Sequence, residues 1–442
     1  MRASALLLLI AHDRMAHAQP GASGHSGPSS PPVMASWPSA RTVFAFGDAR
    51  DLVAVQRLPG MPMPYAIDFA TGRAGALVAG VGDSLVMMYI EGGERANAPG
   101  RVLLELGASP SIRLPGITAS RELHELAIAE EEISVRNGDV MLAGRFIRPA
   151  RAGRHPLVVF LHGSGPSGRG TFLSWGALLA ANGIASIAYD KRGTGASTGD
   201  FRSARFSDLA EDARAIVGAA RARADVDADR IALVGTSQGP WLATMIAADD
   251  PRIAAVVFSS GGGIAPLEQE GFRRVRAVEE AGATPAEVAA ARDLVTRYLS
   301  FYSSFGRDSA GLGAPLSRWG AAWWFPKLEV GATLRSRDRW SPQLVAFASD
   351  LALDLAPLHR RMHQPVLQLL ADGDHNVPAA RAAEVLRAEL PEGRHGQLTQ
   401  RVLPGADHRM QIAAAAGDMP RFHPGFFSEM VTWLRLTLRV TP

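Results

Sequence analysis

The chain has no cysteine in 442 residues. Disulfides, thiolate nucleophiles and cysteine metal sites are excluded together. Lysine is nearly as scarce: Lys191 and Lys327 are the only two, so arginine supplies almost all of the 46 basic residues. These face 43 acidic residues, for a formal net charge of +3. The arginines are scattered and form no basic tract, which gives a nucleic-acid partner no support. No apolar run approaches the ~20 residues that span a bilayer, so no stable membrane span is expected. At 47% hydrophobic and 20% charged, the composition is that of an ordinary globular protein. The length suits one large enzyme domain plus a smaller one.

The N-terminus bears on compartment. Arg2 precedes an apolar run from Ala3 to Ala11, and Ala16-His17-Ala18 offers the small-x-small pattern that signal peptidase reads. Residues 1–18 are therefore expected to be a signal peptide, and the protein periplasmic or secreted. A misassigned start codon would leave it cytoplasmic. Residues 19–36, rich in Gly, Ser and Pro, read as a flexible linker. Residues 37–120 alternate short apolar runs with turns. Thr42–Phe46, Ala76–Val78, Ser84–Ile90 and Arg101–Leu106 are the runs, and Gly92-Gly93 and Asn97-Ala98-Pro99-Gly100 are turn signals. A small β-rich domain without a chemical cluster is expected there.

From residue 121 the pattern changes. His124–Arg136 and Val140–Ile147 read as two strands joined at Asn137-Gly138-Asp139. Strands at Leu157–Leu161, Ile184–Tyr189, Ile231–Val234, Ile253–Phe258, Val366–Leu370 and 397–403 then alternate with helices near 171–182, 207–223, 379–390 and 426–437. Such alternation predicts an α/β fold, a doubly wound and mostly parallel sheet with helices on both faces. Residues 264–360 interrupt it, too long for a plain connection. Gln269–Ala281 and Thr284–Tyr298 there look helical, with Trp319, Trp323, Trp324 and Trp340 beyond them. An inserted helical lid is expected, its aromatics forming either its own core or an apolar pocket wall.

Between Ile231–Val234 and the helix-like stretch from Trp241 lies Gly235-Thr236-Ser237-Gln238-Gly239, a G-x-S-x-G in a strand–turn–helix setting. So tight a turn lifts the serine hydroxyl clear of the sheet. A serine hydroxyl is a weak nucleophile at neutral pH and needs a base held by a carboxylate. In a doubly wound sheet both belong on loops at the carboxyl ends of strands. Asp372 and Asp374 follow one late strand and compete for the acid role; His408 follows the next and stands where the base is expected. Backbone amides must also meet the oxyanion. Gln238, directly after the serine, offers one. The loop His162-Gly163-Ser164-Gly165 offers the other, from Ser164 or alternatively Gly165. His162, beside these glycines, reads as a residue that shapes the loop.

These residues resemble the alpha/beta-hydrolase superfamily over roughly 124–442, the lid excepted. The resemblance rests on Phe160–Gly165, on Tyr189-Asp190-Lys191-Arg192-Gly193-Thr194-Gly195-Ala196-Ser197, on the serine turn, and on Asp374 and His408. It implies that Asp374 is the acid, because the family's Gly-x-x-Asp-x-x-Val-Pro pattern matches Ala371–Pro378 with Ala371 in place of glycine. It also implies that the Asp190–Arg192 stretch is architectural, its Asp–Arg pair pinning the loop. Pro240 stands where many relatives carry glycine, and proline early in a helix is tolerated. The expected enzyme is a serine hydrolase of carboxylic esters, with Ser237, His408 and Asp374 as the triad, and Gln238 and Ser164 as oxyanion donors. No metal or organic cofactor is implied. A serine peptidase acting on short peptides, with Glu268, Glu270, Glu279 and Glu280 as candidate ammonium binders, is the alternative, and a non-catalytic binding protein a more distant one. The partner is thus a small ester or short peptide; the oligomeric state is not legible.

Overall fold

A computed structural model describes the strands between residues 41 and 113, and residues 121–440 apart from 309–310, 331–339 and 413–420. The expected signal peptide and linker lie outside the described residues, as does the Gly92-Gly93 turn.

Eight strands come first: β1 (Arg41–Phe46), β2 (Asp51–Arg57), β3 (Tyr65–Phe69), β4 (Leu77–Val81), β5 (Ser84–Ile90), β6 (Pro99–Glu105), β7 (Ser111–Arg113) and β8 (Arg121–Leu126). Each pairs antiparallel with the next, and β8 returns to β1 to close a barrel. The stretch His124–Arg136, expected as one strand, is therefore divided. Its first residues pair with β1, and β9 (Ile128–Asn137) belongs to the second sheet. Strand alternation alone cannot show such a change of partner, because both halves keep extended backbone.

That second sheet has eight strands. Besides β9 they are β10 (Val140–Pro149), β11 (His155–Leu161), β12 (Ala185–Tyr189), β13 (Val226–Thr236), β14 (Ile253–Ser259), β15 (Val366–Ala371) and β16 (Leu398–Leu403). Their spatial order is β16-β15-β14-β13-β11-β12-β10-β9. The β9–β10 hairpin and the β10–β12 pair are antiparallel, and the other pairs are parallel. Gly138, at φ +57, opens the two-residue turn of that hairpin. Helices α1 (Leu173–Ala181), α2 (Phe206–Arg221), α3 (Gly239–Asp249), and two later ones at Ala379–Glu389 and Pro424–Thr437, connect or follow the strands.

The β11 strand shows why both faces must be covered. Leu157, Val159 and Leu161 enter a core shared with α2 and α3, while Val158 and Phe160 enter another shared with α1 and the C-terminal helix. All seven residues of β11 are buried, as expected of a parallel strand lying between two helical layers.

Between β14 and β15 the chain leaves the sheet for α4 (Pro266–Glu280), α5 (Pro285–Ser303), α6 (Gly313–Trp319), α7 (Pro342–Leu351) and α8 (Ala356–Arg361). Thr284 and Glu287 form a reciprocal capping box at the start of α5, with Pro285 in its first turn. The helices Ala379–Glu389 and Pro424–Thr437 are then α9 and α10. The insertion has its own core. Trp324, Tyr298 and Tyr302 are fully buried in it with Phe301 and Phe325. Rings meet at 5.0 Å (Tyr298–Tyr302) and 5.7 Å (Trp319–Trp324). Most of the aromatics seen in the sequence are therefore engaged inside the insertion. Among the described residues, no helix is long and apolar enough to cross a membrane.

Candidate active site

The turn after β13 is built by steric exclusion. A Cβ on Gly235 would lie 2.6 Å from the Pro240 nitrogen, and one on Gly239 would collide with the Leu161 carbonyl. Ser237 between them takes φ +57, a left-handed conformation that side chains other than glycine adopt only when their surroundings impose it. Its N–H donates to the Ser259 carbonyl at the end of β14 (2.9 Å). Gly261 closes the far side, where a Cβ would stand 2.7 Å from the Ser237 carbonyl oxygen. The strain at Ser237 is thus held from both neighbouring strands.

The loops after β15 and β16 reach the same point. His408 Nε2 is 2.9 Å from Ser237 Oγ, and its Nδ1 is 3.0 and 2.8 Å from the two oxygens of Asp374. Asp374 is 6% exposed and also accepts the N–H groups of Asn376 (2.7 Å) and Val377 (2.9 Å) on Oδ1. Backbone donors and the imidazole thus hold a buried carboxylate in one orientation. Asp372 is exposed and turned elsewhere: it accepts the Gly405 N–H (2.6 Å) and ties the two loops together. The His408 turn is fixed by Asp407, whose Oδ1 accepts the N–H groups of Arg409 and Gln411, both at 2.8 Å.

The loop after β11 lies on the opposite side of Ser237. The Cβ position of Gly163 is 3.3 Å from Ser237 Cβ, so Ser164 is held next to the serine. Gly165 takes φ +93, which glycine tolerates. His162 is 1% exposed and donates Nε2–H to the Tyr189 carbonyl (2.5 Å); burial pulls it down to about 4, so it is a neutral, packed imidazole. It meets Phe172 at 4.8 Å and serves the shape of the loop.

The loop after β12 departs from expectation in its wiring. Asp190 accepts the N–H groups of Arg169 (2.7 Å) and Ala196 (2.9 Å). Arg192 instead makes a two-pronged pair with Asp212 of α2 (2.7 and 2.8 Å). Both residues pin the loop, through separate partners. The side chain between them, Lys191, is 4% exposed and turns toward the Gly163 loop, which motif reading did not foresee. Its scarcity in the sequence was the one available signal.

The four candidate ammonium binders are all engaged. Glu268 pairs with Arg381 (3.0 Å), Glu270 with Arg273 and Arg274 (both 3.2 Å), and Glu279 with Arg276 (3.4 Å) and Arg292 (3.5 Å). Glu280 pairs with Arg276 (2.8 Å) and with His375, next to Asp374.

The chain is similar to several known proteins. The quorum-quenching protein AidA of Acinetobacter baumannii is 28% identical over 138 residues, which is 31% of this chain; the match spans 45% of that protein's own length. Among solved structures, 2,6-dihydroxy-pseudo-oxynicotine hydrolase is 17% identical, with a TM-score of 0.45 over 70% of this chain and 68% of that one. An esterase of Pyrococcus furiosus is 15% identical, with a TM-score of 0.44 over 71% and 91%. The alpha/beta hydrolase family matches residues 158–417, more than half of the sequence, and the chain belongs to that family.

Proposed function

We propose that the protein is a serine hydrolase that cleaves carboxylic esters through an acyl-enzyme. The observation that carries this reading is the continuous hydrogen-bonded line from Ser237 Oγ through His408 to Asp374. Ser237 Oγ attacks the ester carbonyl carbon as its proton passes to His408 Nε2. Asp374, on Nδ1, holds the ring in the productive tautomer and stabilises the imidazolium. The carbonyl oxygen becomes an oxyanion that the Gln238 and Ser164 amides receive; one such donor is worth about 3–4 kcal/mol in related chemistry. The tetrahedral intermediate collapses, the C–O bond to the alcohol breaks, and His408 returns its proton to the leaving oxygen. A water molecule, deprotonated by His408, then attacks the acyl carbonyl and frees Ser237.

The insertion serves in this reading as a lid. Its Glu280 pairs with His375 beside the acid loop. The signal peptide read over residues 1–18 would place the enzyme in the periplasm or outside the cell. A peptidase would use the same triad, but binding a substrate ammonium would require breaking one of the pairs that occupy Glu268, Glu270, Glu279 and Glu280. A panel of nitrophenyl esters and aminoacyl arylamides, run with wild type and Ser237→Ala, decides. Faster turnover of esters, abolished by Ser237→Ala, is expected. Faster turnover of arylamides would overturn the ester assignment.

A further inference from the structure

Lys191 stands in the loop after β12. It is one of two lysines in a chain that otherwise draws its positive charge from arginine. Its Nζ donates to the carbonyls of Gly163 (2.5 Å) and Gly165 (3.1 Å) and to Gln238 Oε1 (3.0 Å). Two partners belong to the loop that carries Ser164, and the third is the side chain directly after Ser237. One ammonium thus joins the two segments that supply the oxyanion amides. The match is chemical as well as geometric. An ammonium has three N–H donors and no acceptor, and here it meets three uncharged acceptor oxygens. A guanidinium presents a flat fork and cannot converge on three oxygens around one point. The loop backbone keeps the amine in place: Lys191 N–H donates to the Ser167 carbonyl (3.2 Å), and its own carbonyl accepts from Thr194 N–H (3.0 Å) and Oγ1 (2.8 Å).

The Gly163 carbonyl and the Ser164 N–H are the two ends of one peptide group. A cation on the oxygen end draws electron density through the amide and makes the N–H end a stronger donor. We infer that Lys191 is a positioning residue of the oxyanion site: it clamps the Gly163–Gly165 loop to Gln238 and polarises the Gly163–Ser164 peptide toward the developing negative charge. This rests on the serine-hydrolase reading above. It gives a reason for a cation to stay in a buried place that disfavours it; burial pulls the Lys191 ammonium down to about 7. The charged and titratable neighbours are otherwise engaged, with His162 neutral and Asp190 held by backbone N–H groups.

The test uses the full chain and counts active sites with a fluorophosphonate before kinetics. Lys191→Met is expected to lower kcat on a nitrophenyl ester by about 30–300-fold per titrated site, the range of one weakened oxyanion donor. KM should stay within about threefold, because the effect belongs to the transition state. Affinity for a trifluoromethyl ketone, which mimics the tetrahedral adduct, should fall by the same factor as kcat. Gln238→Met removes one of the three contacts on a less buried side chain. It is expected to lower kcat by about 3–10-fold in the same pattern, and it decides the matter if Lys191→Met does not fold. A kcat per titrated site within threefold of wild type in Lys191→Met, or a loss confined to KM or to the number of titrated sites, overturns the inference alone. Wild type that takes no fluorophosphonate overturns the serine-hydrolase reading and this inference with it.

Discussion

The sheet and the helical insertion use the same residue types for opposite ends. In the sheet, apolar side chains alternate between two covered faces, and the polar residues gather on loops at the carboxyl ends of the strands. Ser237, Asp374 and His408 meet there although 171 residues separate the outer two along the chain. In the insertion, most aromatic side chains turn inward on one another, and the charges of α4 pair with neighbouring arginines. The difference teaches where to look for each half of the enzyme. In the proposed mechanism the bond-making chemistry belongs to the sheet's loops, while the insertion is a separately packed body resting beside them.

The sharpest way to break this division is within the acid loop. Asp374→Asn keeps the size but turns an N–H₂ group toward donors that expect an acceptor, and it misorients His408. A fall in kcat of about 10³–10⁴-fold is expected on an ester substrate. Asp372→Asn, two residues away, should cost less than about threefold, because the Asp372 carboxylate is exposed and bonds the Gly405 N–H rather than His408. Comparable losses in both variants would contradict the assignment.

That pair of aspartates also shows how much was legible. Order along the chain and alternation of strand and helix located every element of the main sheet from β10 onward; burial on two faces gives the inner strands such as β11 and β15 a strong apolar signature, while the half-exposed edge strand β16 follows from its place after a helix. The choice between Asp372 and Asp374 was not in the local pattern. It depends on which carboxylate the turn at Gly373 directs inward, and resemblance resolved it where periodicity did not. Lys191 was less visible still. Its role depends on two loops from different strands meeting at one nitrogen, which no spacing encodes. The division of 124–136 between two sheets was hidden for a related reason: extended backbone looks alike whichever partner it pairs with.

The insertion's independence is tested next. Trp324 is 1% exposed in its core. Trp324→Ala is expected to destabilise the protein by about 3–5 kcal/mol in urea unfolding, from lost burial plus the cavity left behind. Fluorophosphonate labelling of Ser237 in the fraction still folded should persist at the wild-type rate. Loss of labelling in folded protein would mean that the insertion helps to build the chemistry itself.

The smallest expected effect lies at the seam between the two bodies. Asp350 of α7 accepts the Phe206 N–H at the start of α2 (2.9 Å), and burial pushes its carboxyl up to about 7. A carboxyl raised in the folded state contributes stability that is full below about pH 4, where the unfolded carboxyl is also protonated, and that is lost progressively as pH rises to about 7. Asp350→Asn keeps an acceptor for Phe206 without the charge. It should therefore be more stable than wild type by about 1–2 kcal/mol at pH 8, with the difference shrinking to near zero at pH 4. Thermal unfolding across that range reads it; equal curves at both ends would show that the carboxylate is solvated at the seam.

The central claim, that Ser237 is the nucleophile, is tested most directly by mapping a fluorophosphonate adduct by peptide mass. One adduct per chain is expected, on Ser237, lost in Ser237→Ala and strongly slowed in a folded His408→Ala variant. An adduct on another residue, or none on folded protein that hydrolyses esters, would contradict it.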